Sequence, residues 1–343
     1  MGAILTGPRP GFVSVLGLAV AGLVLLWLFV NAVQTPELFA NVALIGLTNG
    51  AVFGLVALGY TLVYGILQLI NFAHGDVFAL SGLVGFTVLF SVFKVSADAA
   101  SVMTVLAVLA ALAITVPLFA TINATIEFVA YRPLRHSPRL AALITAVGVS
   151  FIVQNIGLYF YDVRFRSASQ LLPRDPVFEL GDISYSWNKL IVLLITVPAL
   201  IALTWFVRNT RQGKAMRAVA QDRDAAAMMG IDVNRTISVT FALAGSLAAI
   251  GGMLFLTQFN LRYDTGFELG LIAFTAAVLG GIGNLQGAVL GAMLIGFIQA
   301  FNEGLTWLSP GSDWTRSIVF GILIAILVFR PEGLLGERTP EGA

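Results

Sequence analysis

The chain has 343 residues, of which 58% are hydrophobic and 11% charged, with a formal net charge of +1. Soluble globular proteins carry roughly 25% charged residues, so the composition excludes a soluble enzyme, offers nothing to a nucleic acid and indicates an integral membrane protein. Cysteine is absent, which removes disulfides, thiol catalysis and Cys-ligated metal.

No Asp, Glu, Lys or Arg lies between Glu37 and Asp76, Asp98 and Glu127, Arg235 and Arg262, or Glu268 and Glu303. Each gap can hold at least one helix of about 20 residues across the bilayer core. The apolar runs are continuous rather than alternating in ten-residue units, which favours helices over a barrel. The expected fold is an all-α polytopic bundle of about ten spans, eight at the fewest. In chain order they fall near 12–32, 40–66, 76–93, 103–122, 140–160, 190–207, 236–258, 268–282, 287–303 and 317–330.

Residues 1–36 read as an N-terminal extension. Asn31-Ala32 could end a signal peptide, but the run is long and Pro36 follows, which favours a retained helix. Residues 37–336 form the core and 337–343 a tail. The connections at 70–75 and 283–286 are short enough to be re-entrant or broken helices. Arg132, Arg135 and Arg139 outweigh Glu127 in the 123–139 loop, and six Lys/Arg outweigh three Asp in 208–235, whereas 161–189 is balanced at four against four. Positive charge marks cytoplasmic loops. The first two loops are therefore expected inside, the balanced one outside, and both termini inside, with a tail starting at Arg330-Pro331.

The 208–235 loop is helix-prone. Gly213 to Ala220 can form one short helix; Asp222 can N-cap a second through Ala225, Ala226 and Met229; Gly230 suits its left-handed end. Ala faces and adaptable Met suit a protein partner, although a plain solvated loop fits the composition equally well. The loop is no P-loop, because Arg208 and Ala215 stand where Gly and Ser/Thr are required. Upstream, Gly50, Gly54, Gly59 and Gly65 permit tight helix packing. Asn71, His74, Gly75 and Asp76 then crowd one stretch, either as a helix break beside a pathway or as interfacial caps. Two histidines in the whole chain are too few to suggest a metal site.

Gln154-Asn155, Gln258 and Asn260 suit hydrogen bonds between helices ahead of solute contact. Gly280-Gly281-Ile282-Gly283-Asn284 reads as a tight turn or broken helix leading to Gln286. A weak internal echo links Ile70–Phe86 with Ile282–Phe297, as Ile, a polar cluster, Gly, then a small-residue helix.

Four stretches in order carry a resemblance. LGYTLVYGILQLINFAHGD (Leu58–Asp76), YRPLRHSPRLAALITAVGVSFIVQN (Tyr131–Asn155), GKAMRAVAQDRDAAAMMGIDVNR (Gly213–Arg235) and GGIGNLQGAVLGA (Gly280–Ala292) resemble the H-type permease subunit of high-affinity branched-chain amino acid ABC importers. The resemblance implies a membrane path for Leu, Ile or Val, working with a homologous M-type permease, two cytoplasmic ATP-binding subunits and an external solute-binding protein. It assigns Gly213, Arg217, Asp222, Ala225, Ala226 and Gly230 to an ATPase-coupling loop. It leaves Asn71, His74, Gly75, Gln154, Asn155, Gln258, Asn284 and Gln286 as candidate pathway or helix-break residues. This chain is expected to bind no cofactor and perform no catalysis, ATP-Mg being used by the partners in a cytoplasmic (inner) membrane. Urea, short amides or another small solute remain alternative cargoes, with an ion-coupled secondary transporter or a passive channel as alternative mechanisms. About 40 residues precede the part that matches, where many H-type subunits begin close to it.

Overall fold

The computed structural model describes residues 12–68, 71–96, 101–135, 137–330 and 332–336. Expectations placed on Ile70, His136, Pro331 and the tail 337–343 fall outside these residues. The elements in order are α1 (Phe12–Gln34), α2 (Pro36–Leu67), α3 (Ala73–Thr87, extended by a π-turn to Val92), α4 (Ser101–Ile126, extended by a π-turn to Tyr131 and a 3-10 turn to Leu134) and α5 (Arg139–Tyr161). Next come β1 (Pro176–Leu180), β2 (Ile183–Ser186), α6 (Trp187–Asn209), α7 (Arg211–Gln221), α8 (Arg223–Met228), α9 (Val233–Gln258), α10 (Thr265–Gly280), α11 (Leu285–Gly304) and α12 (Ser312–Phe329). The protein is an all-α polytopic membrane protein: among the described residues eight helices are long and apolar enough to cross a bilayer. Each expected span coincides with a helix, but α10, with 16 residues, is shorter than a full crossing of about 20 residues.

The most buried spans are α2, α9 and α3, whose apolar windows are 78, 72 and 61% buried. Small residues make this possible. A Cβ at Gly50 would lie 2.8 Å from the Met293 Cα of α11, and one at Gly82 would lie 2.6 Å from the Gly252 oxygen of α9, so the backbones touch where lipid would otherwise intrude. By contrast α4, α5, α6 and α12 keep most of their apolar windows outside the fold, as expected of helices facing lipid or a second membrane protein. At the edge, α1 is held by Trp27, whose Nε1 donates to the Trp307 carbonyl at 2.8 Å.

Helix α2 joins the two ends of the molecule. Near its start, Asn41 donates to the Asp182 carbonyl at 2.8 Å and accepts from the Ser184 amide at 2.9 Å, and Thr48 bonds the Tyr185 hydroxyl at 2.8 Å. At its other end Arg223 donates to the Ile66 carbonyl at 2.8 Å. Thirty-two residues of helix span about 48 Å at 1.5 Å each. The balanced 161–189 segment and the positive 208–235 segment therefore lie at opposite ends of the bundle.

Four local features refine the expected outline. The balanced loop contains a hairpin: β1 and β2 pair antiparallel with Leu180 opposite Ile183, across Gly181-Asp182 with Gly181 at φ 62°, a two-residue turn that only a residue at ease with positive φ closes well. The 123–139 segment is helical as far as Leu134, leaving a short connection. At the first break α2 ends on Gln68 at φ 53° and α3 begins at Ala73, so Asn71 lies in the break while His74 and Gly75 lie inside the helix. Residues after Arg330 are not a free tail: Leu334 and Leu335 amides donate to the Leu279 and Gly280 carbonyls at 2.8 and 2.9 Å.

Candidate functional site

The 208–235 segment folds as two capped helices. The Thr210 hydroxyl oxygen accepts from the Gly213 amide at 3.0 Å and opens α7. The Asp222 carboxylate accepts from the Asp224 and Ala225 amides, each at 2.9 Å, and opens α8. Gly230, at φ 81°, closes it: its amide donates to the Ala227 carbonyl at 3.0 Å and the Ile231 amide to the Ala226 carbonyl at 3.1 Å, the paired bonds of a glycine-ended helix. Gly213, Met216, Val219 and Ala226 are buried, a stripe at helical spacing that seats the loop on α2, α6 and α9. Arg217 bends back to donate to the Val207 and Arg208 carbonyls, capping the end of α6. Burial pushes the Arg223 guanidinium below its usual range, with nearby Arg135 adding to the effect and Asp224 opposing it. Met228 and Met229 are each 82% exposed. The sequence marks these methionines as suited to a partner, but that they face outward is visible only once the inward stripe is known.

Behind the first break lies a buried polar junction. The Tyr131 hydroxyl donates to the Asn71 side-chain oxygen Oδ1 at 2.7 Å. Gln154 donates to Asp76 at 3.1 Å and Ser150 to the other carboxylate oxygen at 2.5 Å, joining α5 to α3. His74 fills the space left by Gly59 and meets the Tyr60 ring edge-on with centroids 4.9 Å apart. Both His74 nitrogens, the Asn71 amide nitrogen and the Thr61 hydroxyl are buried without a hydrogen-bond partner among the described residues. Next to this junction Glu127, wholly buried, pairs with Arg135 and accepts from Ser238 at 2.5 Å, tying the π-turn of α4 to α9.

The second break opens on a cleft of about 560 Å³ bounded by the end of α2, the end of α6, α7 and the start of α11. Gly281 and Gly283, at φ 108° and 93°, reverse the chain there. Asn284 then caps α11, its oxygen accepting from the Gln286 and Gly287 amides at 3.0 and 3.1 Å while its nitrogen donates to the Leu335 carbonyl at 2.8 Å. The described residues of both halves of the internal echo thus follow a helix end and run into a helix, α3 and α11.

Of the candidates, the cleft gathers Arg217, Asn284 and Gln286. Asn71, His74, Gly75 and Gln154 belong to the buried junction. Gln258 donates across elements to the Asn188 carbonyl at 3.3 Å, as expected. Asn155 does not bridge helices: it donates to its own Phe151 carbonyl at 2.8 Å on an exposed face of α5, because the period of α5 turns it away from α3. Asn260 is exposed. No cluster of metal-ligating side chains occurs among the described residues. Replacing Asn284 with alanine is expected to remove the cap and the latch to Leu335 together, costing roughly 1–2 kcal/mol, measurable as a lower unfolding temperature in detergent.

Comparison with known proteins agrees with this architecture. The family described as "Branched-chain amino acid transport system / permease component" matches residues 42–328. The chain is 37% identical over 300 residues to the high-affinity branched-chain amino acid transport system permease protein BraD of Pseudomonas aeruginosa, covering 86% of this chain and 95% of BraD. It is 36% identical over 301 residues to the corresponding LivH protein of Escherichia coli K12, with the same coverage. A shorter similarity, 28% over 159 residues, reaches the fructose import permease protein FrcC of Rhizobium meliloti. No solved structure matches. With a family match over most of its length and relatives covered almost end to end, the chain belongs to the permease-component family of the branched-chain amino acid transport systems.

Proposed function

We propose that this permease subunit forms half of the path through which an ABC importer carries leucine, isoleucine or valine across a cytoplasmic membrane. The observation that carries the reading is the folded loop of α7 and α8 at the opposite end of α2 from the β1–β2 hairpin. Two cytoplasmic ATP-binding subunits dock on the exposed side of that loop and hold the ATP and magnesium. A solute-binding protein docks at the hairpin end, and a homologous M-type permease covers part of the exposed apolar surface. Both termini lie on the cytoplasmic side.

The mechanism is alternating access. Closure of the ATP-binding subunits moves α7 and α8, and α7 is seated against α2, α6 and α9, so its displacement is passed to those spans as a rigid-body shift. Coupled titration of a buried group is not needed to drive the cycle. The test is reconstitution with the partner subunits in vesicles. Leucine uptake is expected to require ATP, and urea or acetamide uptake to be at least about tenfold slower, the scale set by losing a fitted apolar side chain. Uptake of urea but not leucine overturns the cargo, and leucine uptake driven by an ion gradient without ATP overturns the mechanism.

A further inference from the structure

The cleft beside α7 has a one-sided chemistry. Arg208 and Arg217 border it, no Asp or Glu does, and neither arginine forms an ion pair among the described residues. The amino end of the 20-residue helix α11 abuts it through Leu285 and Gln286, adding the partial positive charge of a helix start. The carboxyl end of α2 abuts it from the other side through Gly65 and Ile66, and that end carries partial negative charge. Leu62, Met216 and Val207 supply apolar wall.

Thr61 is the independent indication that something polar belongs there. It borders the cleft, is only 2% exposed, and its hydroxyl has no partner among the described residues. Thr196 of α6 is likewise buried and unpartnered but does not border the cleft; Thr48, Thr115, Thr240 and Thr275 return the hydroxyl to the carbonyl four residues earlier. Thr61 does not, although a buried hydroxyl left unpaired is costly.

We infer that this cleft is a binding site for the carboxylate end of a free amino acid on the coupling-loop side, and that an occupant opposes the movement of α7. The carboxylate lies toward Arg208, Gln286 and the start of α11, with Thr61 donating its hydroxyl. The ammonium lies toward the end of α2. Because α7 supplies one wall, whatever moves α7 changes the affinity of the site, and by reciprocity an occupant resists that movement. Product accumulating beyond the membrane would therefore slow its own import. The inference rests on the proposed amino acid cargo.

The test uses the complex with its partner subunits, without the solute-binding protein, in nanodiscs of phosphatidylcholine. Calorimetry is run with L-leucine, with isovalerate, which lacks the amine, and with isoamylamine, which lacks the carboxylate. Leucine and isovalerate are expected to bind at least about tenfold more tightly than isoamylamine, the scale of hydrogen bonds to a charged group. Thr61→Val and the exposed Gln286→Leu are each expected to weaken carboxylate binding roughly fivefold and to raise by a similar factor the leucine concentration that half-inhibits ATP hydrolysis. Equal binding of isoamylamine, or carboxylate binding that neither variant changes, overturns the inference. Carboxylate binding abolished when phosphatidylglycerol replaces phosphatidylcholine assigns the cleft to a lipid phosphate and also overturns it. A complex that imports no leucine yet binds isovalerate in a Thr61-dependent manner keeps the site and overturns the cargo.

Discussion

Proline at Ala226 is expected to abolish ATP-driven uptake while leaving the chain in the membrane. The Ala226 amide donates to the Asp222 carbonyl at 3.1 Å, and the side chain is 4% exposed on the inward stripe of the loop. Proline removes that donor and drives its ring toward the same carbonyl, a cost of about 3 kcal/mol or more. That exceeds what six residues of helix closed by one cap and one glycine can absorb, so α8 unwinds and the surface offered to the ATP-binding subunits is lost. Uptake is expected to fall about a hundredfold or more, the factor to which that energy corresponds. Membrane immunoblots should be unchanged, since the eight long apolar helices do not depend on α8. Normal uptake by the variant would remove α8 from the lever.

The second large effect concerns stability. Glu127→Gln is expected to destabilise the chain by roughly 3–5 kcal/mol, because it strands a buried charge. Arg135 has a side chain only 9% exposed; burial lowers its affinity for the proton and Glu127 is the group that restores it. The Asn234 oxygen accepts a further bond from Arg135 at 2.5 Å, so the guanidinium stays in place and uncompensated once the carboxylate is gone. Unfolding in detergent, followed by circular dichroism, should show the drop. The double variant Glu127→Gln, Arg135→Gln should recover most of it, because two neutral amides carry no stranded charge. A single variant as stable as the parent would mean that water already reaches the pair.

These two sites differ in how far the sequence discloses them. The coupling loop is legible because its signals are local: Asp222 caps the start of α8 and Gly230 terminates it, and both act within one helical turn. The breaks at Gln68–Phe72 and Gly281–Asn284 are legible for the same reason, since crowded polar residues and glycines interrupt an apolar run. Glu127 is readable only as one charge among several in a loop, because its burial depends on Ser238, 111 positions away. The Asp76 contacts with Ser150 and Gln154 span 74 and 78 positions, and nothing in either segment specifies the other. Gly181-Asp182 between two short alternating runs is a hairpin signal, hidden here by the balanced charge around it. The resemblance to a family carries the function further than any of these residues does alone. It does not disclose the cleft, which exists only where four separate stretches meet.

The length of α2 has a practical use. One unbroken helix touches the hairpin at its start and the coupling helices at its end, so it cannot stretch while either face works. Spin labels placed at the exposed Leu180 and Met228, at the two ends of that ruler, should hold an almost constant separation through the transport cycle. Labels on Met228 and Gln286, on α8 and at the start of α11, should report the motion instead. Such a pair separates a lever that swings from a bundle that merely breathes.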